Sequence, residues 1–236
     1  MRLDKWLTKT IGLTRSEAKK VIRGGRVQVS GEVIKDGSFI IDNSIHKVEF
    51  GGQVIEPVDE TLYLLLNKPL GFECTLKSKH YPTVLELIDL PNLNEVRIAG
   101  RLDVDTTGAL LLSTDGQWLH FVTSPKRVCP KLYEVTLFEP MSEAQQADAI
   151  DEVARGIYLD SEELPTLPAK LEFTSPTTCE LTLTEGKYHQ VKRMFAALGN
   201  HVTALHRSKI GDLDLSGLEL GDTRFLTSDE IASFMP

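Results

Sequence analysis

Two apolar stripes at helical spacing open the chain. Leu3, Trp6 and Leu7 form the first and Ala18, Val21 and Ile22 the second. Thr14-Arg15-Ser16-Glu17 has the pattern of a capping box, in which a hydroxyl and a carboxylate satisfy exposed backbone donors reciprocally, and Gly24-Gly25 ends the second helix. The period then falls to two. Arg26-Val27-Gln28-Val29 and Glu32-Val33-Ile34 predict short strands around Ser30-Gly31, and residues 51–60, with Gly51-Gly52 and Pro57, read as a linker.

From Thr61 the pattern predicts more strands than helices. Residues 63–66 and 96–99 read as strands, the second leading through a polar loop at 100–108 to an apolar run at 109–112 and a turn at Thr114-Asp115-Gly116. Residues 132–137 alternate, so Tyr133, Val135 and Leu137 share one face. Residues 142–155 predict an amphipathic helix with its own box from Ser142 to Gln145. Residues 170–173 and 180–183 predict paired strands, and residues 188–198 a helix closed by Gly199-Asn200. No βαβ spacing repeats. The expectation is an α+β chain whose larger part is a mixed, mainly antiparallel sheet with flanking helices.

Composition narrows the class. Hydrophobic residues make up 41% and charged residues 25% of 236, an ordinary globular balance. The longest apolar runs, 62–66 and 109–112, fall far short of the ~18 residues that span a bilayer. Neither a membrane segment nor a cleavable leader is expected, and a cytoplasmic monomer is the simplest expectation. Three cysteines without a CxxC and six histidines without ligand spacing predict neither disulfides nor a metal site, and no phosphate or dinucleotide loop occurs. No cofactor is expected.

The net charge of −8 conceals an asymmetry: residues 1–26 hold eight Lys/Arg against two acids, leaving 18 basic and 32 acidic groups in the rest. Arg15, Lys19 and Arg23 recur every four residues on one helix face. Such a block suits RNA phosphates, although a solvated basic face has the same composition.

Three segments could carry chemistry. In Gly100-Arg101-Leu102-Asp103-Val104-Asp105-Thr106-Thr107-Gly108, Asp103 is a candidate nucleophile or base; read alone, Asp and Thr are also good turn formers. In the segment from Glu185 to Phe195, Val191, Met194, Phe195 and Leu198 bury one helix face and leave His189, Lys192 and Arg193 on the rims, a place for a carboxylate and RNA or for solvent. Tyr133, in Lys131-Leu132-Tyr133, is by itself an ordinary core tyrosine. Lys68-Pro69 reads as a strand edge.

Arg2-Leu3-Asp4-Lys5, Thr14-Arg15-x-x-Ala18 and Gly25-x-Val27-x-Val29-x-Gly31 resemble the S4 RNA-binding domain. Behind it, Asn67-Lys68-Pro69-x-Gly71, Arg101-Leu102-Asp103-x-x-Thr106-x-Gly108, Lys131-x-Tyr133 and His189-Gln190-x-Lys192-Arg193-Met194 resemble, in that order, the RsuA/RluB branch of RNA pseudouridine synthases. The resemblance implies a small S4-like α/β RNA-binding domain at 1–58 and a catalytic domain at 61–236. It implies isomerisation of a uridine in ribosomal RNA to pseudouridine without metal or cofactor. Asp-Gly-Gln-Trp at 115–118 and Gly-Asn-His-Val at 199–202 resemble the members that act on the small-subunit RNA.

By that resemblance Asp103 is the catalytic aspartate, adding to base or sugar. Tyr133 stacks on the uracil and is placed to take the C5 proton. Lys192 pairs with Asp103, with Arg193 the alternative; Leu205 lies beneath the base, and Arg101 fills the gap left by the flipped nucleotide. Lys68, His189 and Arg193, with Arg15, Lys19 and Arg23, are expected to contact RNA. Asp105→Asn is expected to retain measurable activity. The partner is ribosomal RNA, free or in a partly assembled small subunit.

Three rivals stand beside this expectation: an RNA-binding or ribosome-assembly protein without catalysis, an isomerase of large-subunit RNA, and a hydrolase using Asp103 and His189. Pure binding does not require Asp103, Tyr133 and Lys192 together, and hydrolysis would change substrate mass.

Overall fold

The computed structural model describes residues 1–56, 61–90, 93–124 and 128–235. They fall into two compact units, Met1–Glu60 and Thr61–Pro236. In the first, α1 (Leu3–Ile11) and α2 (Arg15–Arg23) precede β1 (Val27–Val29), β2 (Glu32–Val33), β3 (Val48–Phe50) and β4 (Gln53–Ile55), an antiparallel sheet of order β2-β1-β3-β4. The Thr14 box forms: its hydroxyl accepts from Glu17 N at 3.3 Å, and Glu17 Oε2 accepts from Thr14 N at 2.8 Å. Leu3, Leu7, Ala18, Ile22, Val27 and Val48 are buried together, each of the larger ones contributing about 1.5–3 kcal/mol.

Asp4 is buried in this core but paired. It receives Arg2 Nη2 at 2.8 Å and the Lys5 amide at 2.8 Å, and Arg15 Nε stands 3.7 Å away. The Arg2 hydrogen bond holds its carboxyl below the usual range.

The expected linker begins too early. Gly51 and Gly52, at φ 61° and 82°, are the two-residue turn of the β3–β4 hairpin, where Phe50 faces Gln53; both positions need the positive φ that glycine adopts freely. Residues 57–60 lie outside the described residues.

The second unit contains β5 (Tyr63–Lys68), β6 (Arg97–Ala99), β7 (Thr107–Ser113), α3 (Gly116–Thr123), β8 (Lys131–Leu137), α4 (Glu143–Arg155), β9 (Lys170–Ser175), β10 (Thr178–Leu183), α5 (Gln190–Ala197), β11 (Val202–Ile210), β12 (Leu213–Asp214), β13 (Thr223–Phe225) and α6 (Ser228–Ser233). The sheet runs β13-β5-β7-β11-β8-β10-β9, with β6 also on β7 and β12 on β11. Among the strands of the described residues only β7 and β11 pair in parallel, so the sheet is mixed and mainly antiparallel.

Both faces of the sheet are covered, which is why its central strands read as unbroken apolar runs. Leu64, Leu66, Leu110 and Leu112 enter one core with Val135, Val153 and Phe195. Leu65, Ala109 and Leu111 enter the other with Trp118, Ile210 and Phe234.

Two elements depart from the pattern. The expected turn at Thr114-Asp115-Gly116 starts α3, because Asp115 accepts from the Gln117 and Trp118 amides at 2.9 and 3.1 Å. The central strand β11 has no clean alternation to announce it: two register shifts interrupt its pairing with β8, and it buries Arg207 beside Leu205.

Candidate active site

The loop of residues 100–106 joins β6 to β7 and is fixed from below. Lys68, the last residue of β5, is fully buried, and its ammonium donates to the carbonyls of Pro69, Asp103 and Thr106 at 3.0, 3.0 and 2.8 Å. Burial pulls its pKa below the ordinary lysine value, the ionised form being held by those dipoles and by Asp103 and Asp105 nearby. The expectation of an RNA contact at Lys68 does not hold. With three acceptors and no exposed surface it is instead a clamp on the Asp103 loop. Leu102 is buried alongside, its amide donating to Cys74 Sγ at 3.4 Å.

Asp103 Oδ2 accepts from Lys192 Nζ at 3.1 Å, and His189 Nε2 lies 3.2 Å from Oδ1. Asp105 belongs to the same constellation, with Lys192 Nζ 2.5 Å from its Oδ1. Burial works against the Lys192 charge, but the bonds to Asp105 and Asp103 outweigh it and hold the ammonium's pKa above its usual value. Burial likewise works against the Asp105 charge, and Lys192 outweighs it, holding that carboxyl low. Nothing in the sequence marks Asp105 out beyond its distance of two residues from Asp103.

Helix α5 delivers Lys192. Its first residue, Gln190, is buried, accepts the Lys187 amide at 2.8 Å and donates to Glu185 Oε1 at 2.8 Å. His189 caps the helix in the left-handed region, at φ 47°, ψ 36°, so the helix begins at Gln190 rather than Tyr188. Successive residues on a helix point about 100° apart, and Arg193 therefore turns away from Asp103. It donates to Glu162 at 3.0 Å, to the Tyr188 carbonyl at 3.1 Å and to the Asp160 carbonyl. Lys187 reaches the same Glu162 at 3.0 Å, and these two cations hold that carboxyl below its ordinary range. Arg193 is thus not the partner of Asp103; it ties down the loop after α4.

Tyr133 on β8 and Leu205 on β11 are nearly buried. They line, with Arg101, Asp103, His189 and Lys192, one cavity of about 580 Å³. Arg15, Lys19 and Arg23 are exposed on α2, in the first unit. The cavity thus combines an aromatic face, an aliphatic face and a carboxylate already paired with a cation, an arrangement able to take a flat ring and attack it. Among the described residues no cluster of His, Cys, Asp and Glu could hold a metal ion, and no helix is long and apolar enough to cross a membrane.

Comparison with known proteins agrees with this geometry. Residues 1–44 match the S4 domain and residues 62–197 match the RNA pseudouridylate synthase family. A protein of Haemophilus influenzae named ribosomal small subunit pseudouridine synthase A is 48% identical, over 98% of each chain. Its namesake in Escherichia coli K12 is 44% identical over 99% of each. A crystal structure described as a pseudouridylate synthase superposes with a TM-score of 0.69 at 46% identity, covering the whole of both chains. A chain with this fold, this carboxylate site and these relatives is a member of the RNA pseudouridylate synthase family, carrying an S4 domain at its N-terminus.

Proposed function

We propose that this chain converts a uridine of small-subunit ribosomal RNA to pseudouridine, with Asp103 as nucleophile. The observation that carries the proposal is the Asp103 carboxylate, paired with Lys192 at 3.1 Å in a cavity it shares with Tyr133 and Leu205. The reaction breaks the N1–C1′ bond, turns the uracil and joins C5 to C1′, so it requires a nucleophile, a proton acceptor for C5 and a closed pocket. Lys192 holds the carboxylate in place through its 3.1 Å contact, Tyr133 stacks on the ring, and Leu205 supports its other side. Arg101, exposed at the mouth, fills the space left by the flipped nucleotide. The S4-like unit supplies affinity through Arg15, Lys19 and Arg23, and the body from Thr61 supplies the chemistry.

Choice of the small-subunit RNA rests on the names of the relatives. We place the enzyme in the cytoplasm as a monomer, acting on that RNA free or in a partly assembled subunit. A binding module without catalysis has no use for a half-buried cation–carboxylate pair facing the same cavity as an aromatic ring.

Asp103→Asn tests the proposal. Asparagine keeps the size and turn preference but removes charge and nucleophile. RNA binding and melting temperature should stay close to wild type. Tritium release from C5-labelled uridine should fall by more than the ~10²–10⁴-fold typical of losing a general acid or base. Turnover near the wild-type rate, or a change in substrate mass, would overturn it.

A further inference from the structure

Four side chains on neighbouring strands form the floor of the cavity. On β8 the period of two puts Lys131 and Tyr133 on one face; on β11 it puts Leu205 and Arg207 on one face, and Arg207 pairs with Tyr133 across the two strands. All four line the cavity. Tyr133 and Leu205 serve a flat apolar ring. Lys131 and Arg207 do not, and nothing in the function proposed above uses them.

Arg207 is the more unusual. It is 3% exposed, and its guanidinium carbon lies 6.0 Å from the centre of the Tyr133 ring. Nε donates to the Ala109 carbonyl at 2.7 Å, which orients the fork. Nη2 is buried and meets no acceptor among the described residues. A buried charged donor left without an acceptor is costly, and one on a residue that lines a cavity is placed for an acceptor brought by a ligand. Lys131 Nζ likewise has one partner among the described residues, the Cys129 carbonyl at 3.1 Å. No carboxylate is paired with either cation among the described residues, whereas Lys192 in the same cavity is bonded to two.

We infer that Arg207, aided by Lys131, is a further catalytic residue that donates to a carbonyl oxygen of the uracil and stabilises the negative charge it acquires. The inference rests on the base occupying this cavity. Charge develops on the ring by either route open to Asp103. Addition to C6 moves the C5–C6 π pair towards O4. Displacement at C1′ sends the N1–C1′ bond pair onto the ring, where it spreads over N1, O2 and O4. In both cases the charge persists until C5 has bonded to C1′ and Asp103 has left as its carboxylate; C5 then loses its proton to a base and N1 takes one up. A prepositioned N–H aimed at developing charge in a water-poor site lowers the barrier without comparable ground-state gain.

The test is an enzyme-by-substrate cycle on the full-length protein. RNA bearing uridine, 2-thiouridine or 4-thiouridine at the modified position is presented to wild type and to Arg207→Gln. Sulfur is the poorer acceptor, so one of the two thio substrates should slow wild type about tenfold or more. Arg207→Gln should turn over uridine some 10²–10³-fold more slowly with RNA affinity within about twofold, as for loss of one oxyanion donor. On the variant the same sulfur should cost less than about threefold, because the donor it weakens is already gone. Equal sulfur effects in both enzymes, or full turnover by the variant, overturn the inference. Should Arg207→Gln fail to fold, Arg207→Lys takes its place. Wild-type rates indifferent to both sulfurs overturn the inference without any variant. Absence of pseudouridine from wild type on plain uridine RNA would instead strike the proposed function.

Discussion

Gly108 and Arg207 face each other across β7 and β11 so closely that a Cβ on Gly108 would stand 2.3 Å from the Arg207 carbonyl oxygen. The neighbour is backbone in a central strand and cannot yield, and φ at Gly108 is +111°. The last glycine of the Asp103 motif therefore serves strand approach more than loop freedom. Gly108→Ala should cost more than ~3 kcal/mol of stability, combining clash and strain. A melting temperature equal to wild type would contradict this.

Lys68 separates two roles by one substitution. As a clamp it donates to three carbonyls, so Lys68→Met strips that donor from Pro69 and Thr106, while the Asp103 carbonyl keeps the Thr106 amide, and should cost about 1–3 kcal/mol. Turnover should fall because the Asp103 loop loses its anchor, while RNA affinity stays the same. Weakened RNA binding with unchanged stability would return Lys68 to the interface.

Lys192 and Arg193 are neighbours with opposite assignments. Lys192→Met should keep the fold and lose most turnover, since Asp103 loses the cation that holds its carboxylate in place at 3.1 Å. Arg193→Met should act mainly on stability, by removing one of the two cations on Glu162 and the donor to the Asp160 carbonyl. Asp105→Asn, which removes the second carboxylate held by Lys192, should slow turnover without abolishing it. Kinetics and thermal melts on the three proteins decide the matter, and a reversed ranking of Lys192 and Arg193 would sink it.

Salt should report on the basic face of α2. Replacing Lys19 and Arg23 by Glu should flatten the dependence of RNA affinity on salt, by roughly 0.7–0.9 in log–log slope for each phosphate no longer neutralised. Arg15 is best left in place because it stands 3.7 Å from buried Asp4. An unchanged slope would remove α2 from the interface.

Acid should loosen α6. Arg224 grips Glu230 through two bonds of 2.8 and 2.7 Å, and this pairing holds the Glu230 carboxyl at about 2, against an ordinary 4.5. A carboxyl depressed in the folded state stabilises in full above its unfolded value and loses that contribution as pH falls through its folded one. The excess stability of wild type over Arg224→Met should therefore shrink between about pH 5 and pH 2. A constant difference across that range would show that the pair contributes nothing.

Local signals in the sequence are legible wherever a residue acts on its own backbone. The boxes at Thr14 and Ser142 form as their spacing predicts, because both partners lie within one turn. Legibility fails where meaning depends on a distant partner. Gly51-Gly52 suits a linker as well as a hairpin until β3 and β4 are seen to pair. A lysine at the end of β5 looks like an edge until three carbonyls from beyond the strand surround it. Asp103 stands out because its loop gathers several reactive groups in nine residues. Arg207 does not, since only the β8–β11 register brings it under Tyr133.

The parallel seam of β7 and β11 also fixes when activity can begin. Thr107 Oγ1 meets His206 Nδ1 at 2.8 Å across 99 positions of chain. Between them lie α3, β8, α4, β9, β10 and α5, all made earlier than β11 during synthesis. Contacts of such separation form late, after the intervening loop has been closed. A growing chain can therefore display its two N-terminal helices long before it owns a floor for the base. Its chemistry switches on only once the last third of the polypeptide has emerged.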